Sequence, residues 1–481
     1  MATGEGGDGM IASLQPYKEY KDSGSRWLGS VPAKWEVRNL RTLITKRAER
    51  NRPDLPLLSV AREKGVFVRS LTDADENHNV IPEDLTNYKV ARAGNLVINK
   101  MKAWQGSMGI APCDGIVSPA YYVFDFQIAN HRFGQLMLRS KPYVAHFGQA
   151  SDGVRVGQWD LSIPGMRQIP VLVPAPDEQA AIVRFLDYAN GRLEQTIRAK
   201  RKIIALLIEQ KQAIINRAVT RGLNPKVAFK PSQLTWLGDI PKHWEITRLK
   251  FEATHIVDCL HATPKYVPDG PFPAIRTADI EPGKVRLSQA RRLSAQQYAR
   301  WTSRLVPKEG DILYSREGER FGIAALVPKG VQLCISQRMM IFRIKESQLS
   351  EFLMWQLNCK HVFAQASCDI IGSTAPHVNV EQIKNYRLAM PPKQEQQQIV
   401  AHIAKECSTL NIAIGRLERE IQLLREYRTR LVADVVTGKL DVRPAAAKLP
   451  AIVEPESLVP ETIGEEVDEI ENDIETEGAE G

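Results

Sequence analysis

The chain states one pattern twice. Trp27-Leu28-Gly29-Ser30-Val31-Pro32-Ala33-Lys34-Trp35-Glu36-Val37 returns as Trp236-Leu237-Gly238-Asp239-Ile240-Pro241-Lys242-His243-Trp244-Glu245-Ile246, an offset of 209 residues. Further on, Val173-Pro174-Ala175-Pro176-Asp177-Glu178-Gln179 with Ile182-Val183 returns as Met390-Pro391-Pro392-Lys393-Gln394-Glu395-Gln396 with Ile399-Val400, an offset of 217. Duplication at this period predicts two similar halves related by an internal pseudo-twofold. Such a molecule suits a twofold partner, or two copies of one partner.

Each half holds a mixed segment and then a long polar–apolar periodic one. In the second periodic segment, Ile403, Cys407, Leu410, Ile414, Leu417, Ile421, Leu424, Arg428, Leu431 and Val435 step alternately by four and three, a heptad seam. Subtracting 217 carries the positions from Leu410 onward to Leu193, Ile197, Lys200, Ile204, Leu207, Lys211, Ile214 and Ala218 in the same register, so that even the basic interruption recurs, Lys211 against Arg428. Prolines and acidic or amide residues open each segment, and Gly222 or Gly438 closes it. Two such helices, each about 65 Å long at 1.5 Å per residue, are expected to pack on each other as an antiparallel coiled coil. A helix of another protein on each seam is the rival arrangement, and the two are compatible because outer faces stay free.

The mixed segments read as α+β. Short β-rich runs, Leu96-Val97-Ile98, Ala120-Tyr121-Tyr122-Val123-Phe124, Asp311-Ile312-Leu313-Tyr314 and Met339-Met340-Ile341-Phe342, are separated by turn residues. One helix-like stretch follows in each half, near 133–147 and 351–364. The expected divisions are a disordered lead-in at 1–16, globular α/β domains at 17–176 and 224–393, long helices at 177–223 and 394–443, and a disordered acidic tail at 444–481. Between the repeated ends the halves diverge, so the frame is duplicated and the inserted domains are not.

Composition, 43% hydrophobic and 25% charged, is that of a soluble globular protein, and no run approaches the 18 apolar residues of a membrane span. The amino terminus lacks the basic-then-apolar order of a secretory signal. Six scattered cysteines form no Cys-x-x-Cys pair, so neither a metal site nor a disulfide framework is expected, and a reducing cytoplasm fits. Residues 451–481 carry ten Glu, two Asp and no Lys or Arg, so a net charge of +8 conceals +20 on the first 450 residues. A body so basic points to a polyanion, most commonly nucleic acid; a merely solvated surface is the plain alternative.

No motif for catalysis is present. A phosphate loop, a Gly-x-Gly-x-x-Gly following a strand, His-Glu-x-x-His, Gly-x-Ser-x-Gly and the Asn/Asp-Pro-Pro-aromatic tetrapeptide of amino-methyltransferases are missing. Pro53-Asp54 with Glu63-Lys64 is the nearest approach to a nuclease cluster, and its spacing is poor. What remains is binding chemistry. Asn99-Lys100-Met101-Lys102-Ala103-Trp104-Gln105-Gly106-Ser107 follows a β-run and mixes cations, amides and a glycine. Lys100 and Lys102 suit phosphate and Gln105 an adenine edge, whereas Trp104 reads better as a core plug. The matching stretch of the second half, Ser315 to Gly322, offers Arg316 and Arg320 for guanine, or else an ion-pair ladder with Glu317 and Glu319. Arg155 and Gln158 lie in a glycine-containing loop before the first long helix. Ser373, Thr374 and His377 lie in the corresponding loop of the second half, and Arg62 and Arg276 sit near the start of each domain. Trp27, Trp35, Trp236 and Trp244 are expected to be structural staples that dock each box onto the helical frame.

These residues resemble a known family. The box Tyr20-Lys21-Asp22-Ser23 through Trp35, its copy from Phe229 to Trp244, the Pro-x-x-Glu-Gln-x-x-Ile helix starts and Asn99-Lys100-Met101-Lys102-Ala103-Trp104-Gln105-Gly106 are similar to the specificity (S) subunit of type I restriction–modification systems, over about residues 17–443. Phe229 and Pro231 replace Tyr20 and Asp22 in the second copy, and the acidic tail has no counterpart in the family. The resemblance implies a non-catalytic subunit whose two target recognition domains each read one half of a split, asymmetric DNA site. The helices would set the spacer and dock two methyltransferase (M) subunits, with the seam residues listed above, Leu193 to Leu431, as partner and helix contacts. Restriction (R) subunits would complete a complex with adenine-N6 methyltransferase and site-specific deoxyribonuclease activity. S-adenosylmethionine, ATP and Mg would belong to those partners. Twofold recognition favours half-sites on one face of the duplex, about 34 Å apart. The alternative is a stand-alone bipartite DNA-binding or scaffold protein without modification partners.

Overall fold

The computed structural model describes residues 14–69, 84–153, 159–318, 320–367 and 378–450. The lead-in at 1–13 and the acidic segment at 451–481 lie outside these. The chain divides into two compact units, residues 1–196 with 423–481, and residues 197–422. The divisions thus fall inside the long helices and not at their ends.

The first unit is built on a four-stranded antiparallel sheet in the order Ile44–Lys46, Tyr121–Phe126, Leu96–Asn99, Met108–Ile110. Successive side chains of a strand point to opposite faces. Leu96 and Ile98 therefore enter the main core, and Val97 enters a second cluster with Leu58, Val60 and Val123. Burial on both faces explains why this run is continuously apolar rather than alternating. The helices His131–Leu138 and Lys141–Gln149 cover the main core. The single stretch expected near 133–147 is broken because Pro142 brings no amide hydrogen to the helix ladder and starts a new one.

The second unit repeats the strand order with Ala253–Asp258, Met339–Ile344, Ile312–Ser315 and Ala324–Leu326. Its central strand is buried throughout, with Ile312 and Tyr314 in one core cluster and Leu313 in another. The helix-like stretch is again two helices, Ser350–Leu357 and Lys360–Ser367. Asn358 between them donates to Ala324 O at 2.8 Å and accepts from Ala324 N at 3.0 Å, fastening the break to the sheet edge. The added layers differ between the units. The first has the hairpin Leu58–Ala61 with Gly65–Val68, whereas the second pairs Phe272–Ile275 with Cys334–Ile335 in parallel.

The long helices run Pro176–Arg221 and Lys393–Val436. In the first unit Ile182, Phe185, Leu186 and Ala189 share a core with Leu431, Val435 and Val436. In the second, Ile215, Ala218 and Val219 share one with Ile399, Val400, Ile403 and Cys407. Between these cores the seam positions stay covered: Leu193, Ile197 and Ile421 are buried, and Ile204, Leu207, Ile214, Leu410, Ile414, Leu417 and Leu424 are half-buried. Seam cations find polar partners. Within the second unit Lys200 Nζ lies 2.5 Å from Glu420 Oε2 and Lys211 Nζ donates to Asn411 Oδ1 at 2.9 Å. Within the first, Arg428 donates to Glu194 at 3.3 Å. Adding 217 to Lys211 and subtracting it from Asn411 gives Arg428 and Glu194, so the interruption of the heptad carries its own partner in each copy.

Each Trp box is a short hairpin, Tyr20–Asp22 with Ser30–Pro32 and Phe229–Pro231 with Asp239–Pro241. Trp35 and Trp244 are buried completely. Gly438 ends the second helix in a left-handed conformation, φ +75°, where a β-carbon would strike the Pro32 ring. Gly222 ends the first at φ +69°, where a β-carbon would meet Glu395 and the Trp244 ring. Of the other two box tryptophans, Trp27 is half-buried and packs on the first core against Tyr143 and His146, whereas Trp236, 38% exposed, departs from the staple expected of it.

The chain past the second helix also departs from expectation. Residues taken as the start of a disordered tail form the helix Arg443–Lys448, whose Ala445 and Ala446 enter the first core with Leu449. Arg184 donates to the carbonyls of Leu449 and Pro450, at 2.5 and 3.0 Å. At the other end, Gln15, placed in the expected lead-in, bridges to Asp441.

Two consequences are measurable. Gly438→Ala should cost about 2 kcal/mol or more in chemical denaturation, since left-handed backbone and collision add, whereas Gly29→Ala, at φ +61° in open space, should cost only about 1 kcal/mol. Buried His361 has no partner at Nε2, and burial pushes its pKa down from 6.5 to about 4. The folded state keeps it neutral while the unfolded chain protonates it near pH 6.5. Its stabilising contribution is therefore complete above pH 6.5 and lost as pH falls toward 4, by roughly 3 kcal/mol in all. The unfolding free energy of His361→Leu should be flatter across that window.

Candidate nucleic-acid interface

In the first unit the strand Leu96–Asn99 delivers the chain into a tight loop. Asn99 Oδ1 accepts from Met101 N at 3.0 Å, a 3-10 turn spans Ala103–Gln105, and Gly106 closes it at φ +88°, where a β-carbon would crowd Val144. Ala103 and Met108 anchor the loop in the core, a role expected of Trp104. Trp104 instead lies half-buried, its indole N–H on Met101 O at 3.1 Å and its ring 5.1 Å from that of Trp159. This leaves Met101 and Lys102 exposed at the tip and Gln105 half-buried. Lys100 Nζ is 2.5 Å from Asp160, whose hydrogen bond holds the ammonium pKa above its ordinary value. Arg62 is 71% exposed, and its carbonyl is gripped by Arg139 at 2.6 Å.

In the second unit the expected arginines are drawn inward. Arg276 makes two 3.0 Å hydrogen bonds to buried Asp279, which hold its pKa up. Arg320 donates to Ile280 O at 2.6 Å. Arg316 is 8% exposed. Its terminal nitrogen lies 2.7 Å from Glu317, and its Nε lies 3.1 Å from Asp258 but off the hydrogen-bonding direction. Each guanidinium is thus tied to a partner within its own unit. Arg155, Gln158, Ser373, Thr374, His377 and Glu319 lie outside the described residues.

The surface above Arg316 holds groups that sequence reasoning passed over. Arg338 is 56% exposed and has φ +67°, and its Nε is 3.8 Å from Glu317. Exposed Gln337 donates to Thr263 at 3.0 Å, and His261 lies 3.2 Å from Asp258. The available signal was a polar Gln-Arg pair in the turn before the apolar run Met339-Met340-Ile341-Phe342. Among the described residues no cluster of His, Cys, Asp and Glu is arranged to hold a metal, and no helix is long and apolar enough to cross a membrane. The five described cysteines are free thiols.

Residues 276–421 match the model of the type I restriction modification DNA specificity domain. The type I restriction enzyme MjaVIII specificity subunit of Methanocaldococcus jannaschii is 25% identical over 286 residues, 57% of this chain; the match spans 63% of that relative's length, less than two thirds. The putative type I restriction enzyme MjaX specificity subunit of the same organism is 20% identical over 461 residues, 90% of this chain and all of that protein. The chain is thus similar to type I specificity subunits, with the family model matched over 146 of its 481 residues. A solved structure shares the fold. A solved chain from work on complex assembly and conformational transition of the type I R-M system superposes at a TM-score of 0.59, covering 85% of this chain and 99% of its own at 14% identity. The HsdS subunit from Thermoanaerobacter tengcongensis gives 0.42, with 86% and 98% covered at 15% identity.

Arg316 offers a direct check of what holds this surface together. Removing one partner of a buried ion cluster leaves uncompensated charge. Arg316→Met should therefore lower the unfolding free energy by about 3 kcal/mol, whereas a side chain serving only an external ligand would leave it unchanged.

Proposed function

We propose that this chain is the DNA-recognition subunit of a type I restriction–modification complex, and that its globular segments, 17–176 and 224–393, each read one half of a bipartite, asymmetric site. The observation that carries this is the pairing of a common frame with different loops. Equivalent strands, Leu96–Asn99 and Ile312–Ser315, lead into Lys100, Lys102 and Gln105 in one unit and Arg316, Glu317 and Arg320 in the other. In the first unit Lys102 and Arg62 are phosphate contacts and Gln105 a base contact, with Lys100 released from Asp160 on binding. In the second, Arg276, Arg316 and Arg320 brace the loops from beneath.

The long helices form an antiparallel coiled coil that sets the spacer, a reading supported by the Lys200–Glu420 and Lys211–Asn411 contacts, which run in opposite chain directions, and by the buried seam. The repeat of partner positions at 217 residues supports an internal pseudo-twofold. Outer faces of the helices dock two methyltransferase subunits. Leu206 and Leu423, equivalent positions off the seam, are 56% and 54% exposed, and Ile203, Ile208 and Ile412 are also uncovered. Apolar groups left in water on an otherwise charged helix mark an interaction surface. S-adenosylmethionine, ATP and Mg belong to the methyltransferase and restriction subunits, and the assembly acts in the cytoplasm.

The test is to express the chain with its methyltransferase subunit and sequence the modified bases. The expected motif has two unlike halves separated by a fixed gap; an uninterrupted motif overturns the bipartite reading. In the same complex, Lys100→Ala with Lys102→Ala should weaken binding to all sequences and reduce the slope of log affinity against log salt by about two, leaving the motif unchanged.

A further inference from the structure

We infer that Arg338, with Gln337 beside it, is the base-reading contact of the second unit, and that Arg316 is the positioning residue beneath it. This rests on the DNA-recognition reading above and assigns that role to residues outside the loop where it was expected.

Three observations carry the inference. The first is backbone strain. Arg338 stands at φ +67°, a conformation that disfavours any side chain with a β-carbon. Neighbouring elements hold the turn in place: Arg338 O accepts from Arg316 N at 3.0 Å, and Met339 O accepts from Cys259 N at 3.1 Å. Strain that is over-determined in this way collects at binding sites, and here it lifts a guanidinium out of the turn.

The second is availability. Arg316 is buried between two carboxylates, whereas Arg338 is 56% exposed, with its Nε 3.8 Å from Glu317 Oε2. Arginine and an amide side by side are the two side chains whose geometry matches the major-groove edges of guanine and adenine. The hydrogen bond from Gln337 to Thr263 ties this turn to the 261–265 loop and fixes the amide's direction.

The third is electrostatic. Asp258 and Glu317 lie directly under the turn, and two uncompensated carboxylates there would repel phosphate. Arg316 engages both, and His261 sits on the second oxygen of Asp258. Arg316 thus offsets one of the two negative charges beneath the turn, and Arg338, 3.8 Å from Glu317, is the outer cation over what is left.

The test uses the full chain assembled with its methyltransferase subunit, with modified-base sequencing and salt-dependent binding as readouts. Arg338→Gly removes the guanidinium and accepts the positive φ, and Arg338→Asn does the same with a residue that tolerates it. Both should keep the unfolding midpoint and relax preference at one or two positions of a single half-site by about tenfold or more, leaving the other half-site intact. An unchanged motif in both variants overturns the assignment. So does a uniform loss of affinity with a salt slope reduced by about one, the mark of a phosphate contact. If the unaltered complex fails to select DNA at all, the recognition reading itself has failed, which is a separate result.

Discussion

The architecture hangs on a pair of side chains in the first turn of each long helix. Gln179 and Gln396 are buried, and each uses both the nitrogen and the oxygen of its amide. Gln179 donates to Pro174 O at 2.8 Å and accepts from Asn130 N at 3.0 Å; Gln396 donates to Pro391 O at 2.9 Å and accepts from Leu349 N at 2.9 Å. Each thereby ties the helix start to the chain entering it and to the covering helices of its globular domain. The preceding glutamate ties the start to the Trp box. Glu395 accepts from Trp244 Nε1 at 3.1 Å and His243 Nε2 at 2.7 Å. Glu178 accepts from Tyr17 at 2.8 Å, which together with burial raises the tyrosine's pKa, and Trp35 Nε1 is left buried without a partner. The glutamine bonds inside each core favour one arrangement, because alternatives strand the buried amide or the backbone groups it meets. The helix, box and domain are therefore placed by one dipeptide, and the glutamate's partners are free to change so long as they are donors.

Much of this frame is legible in the sequence because it obeys short-range periodicities. The heptad seam predicts which helix positions are covered, and the β-runs predict the central strands, Leu96–Asn99 and Ile312–Ser315, to within a residue. What the sequence does not reveal is which polar residues are satisfied by distant ones. Arg316 and Arg276 carry the composition of DNA contacts, yet Asp258 and Asp279 claim them, and nothing local distinguishes an arginine that is paired from one that is not. Trp27 and Trp236 occupy the same place in the box; only the rings beyond it, Tyr143 and His146, make one a packed residue while the other stays in water. The Arg443–Lys448 helix fails for the opposite reason. Three alanines carry little hydrophobic signal, and the burial of Ala445 and Ala446 depends on the first core they join.

The two units hold their loop cations differently. Cations on short loops need carboxylates to hold their geometry. In the first unit the carboxylate lies beside the lysine and both are exposed, Lys100 at 39% and Asp160 at 49%. Solvent screens that pair, so it is weak and readily exchanged. In the second unit the carboxylates lie below, at 15% and 25% exposure, and the cation between them is fixed. The first surface is adjustable and the second is rigid, which follows from burial alone.

The division of the helices also has a consequence for how the molecule is made. The second unit is one continuous stretch, 197–422, whereas the first is assembled from residues on either side of it, 1–196 and 423–481. During synthesis the amino-terminal domain emerges first, but its core lacks Leu431, Val435, Val436, Ala445 and Leu449 until nearly the whole chain has left the ribosome. The later-encoded unit is complete before the earlier one. Closing the first unit then means joining segments more than two hundred residues apart, a high-contact-order step whose entropic cost folding of the intervening unit lowers by bringing its own ends together.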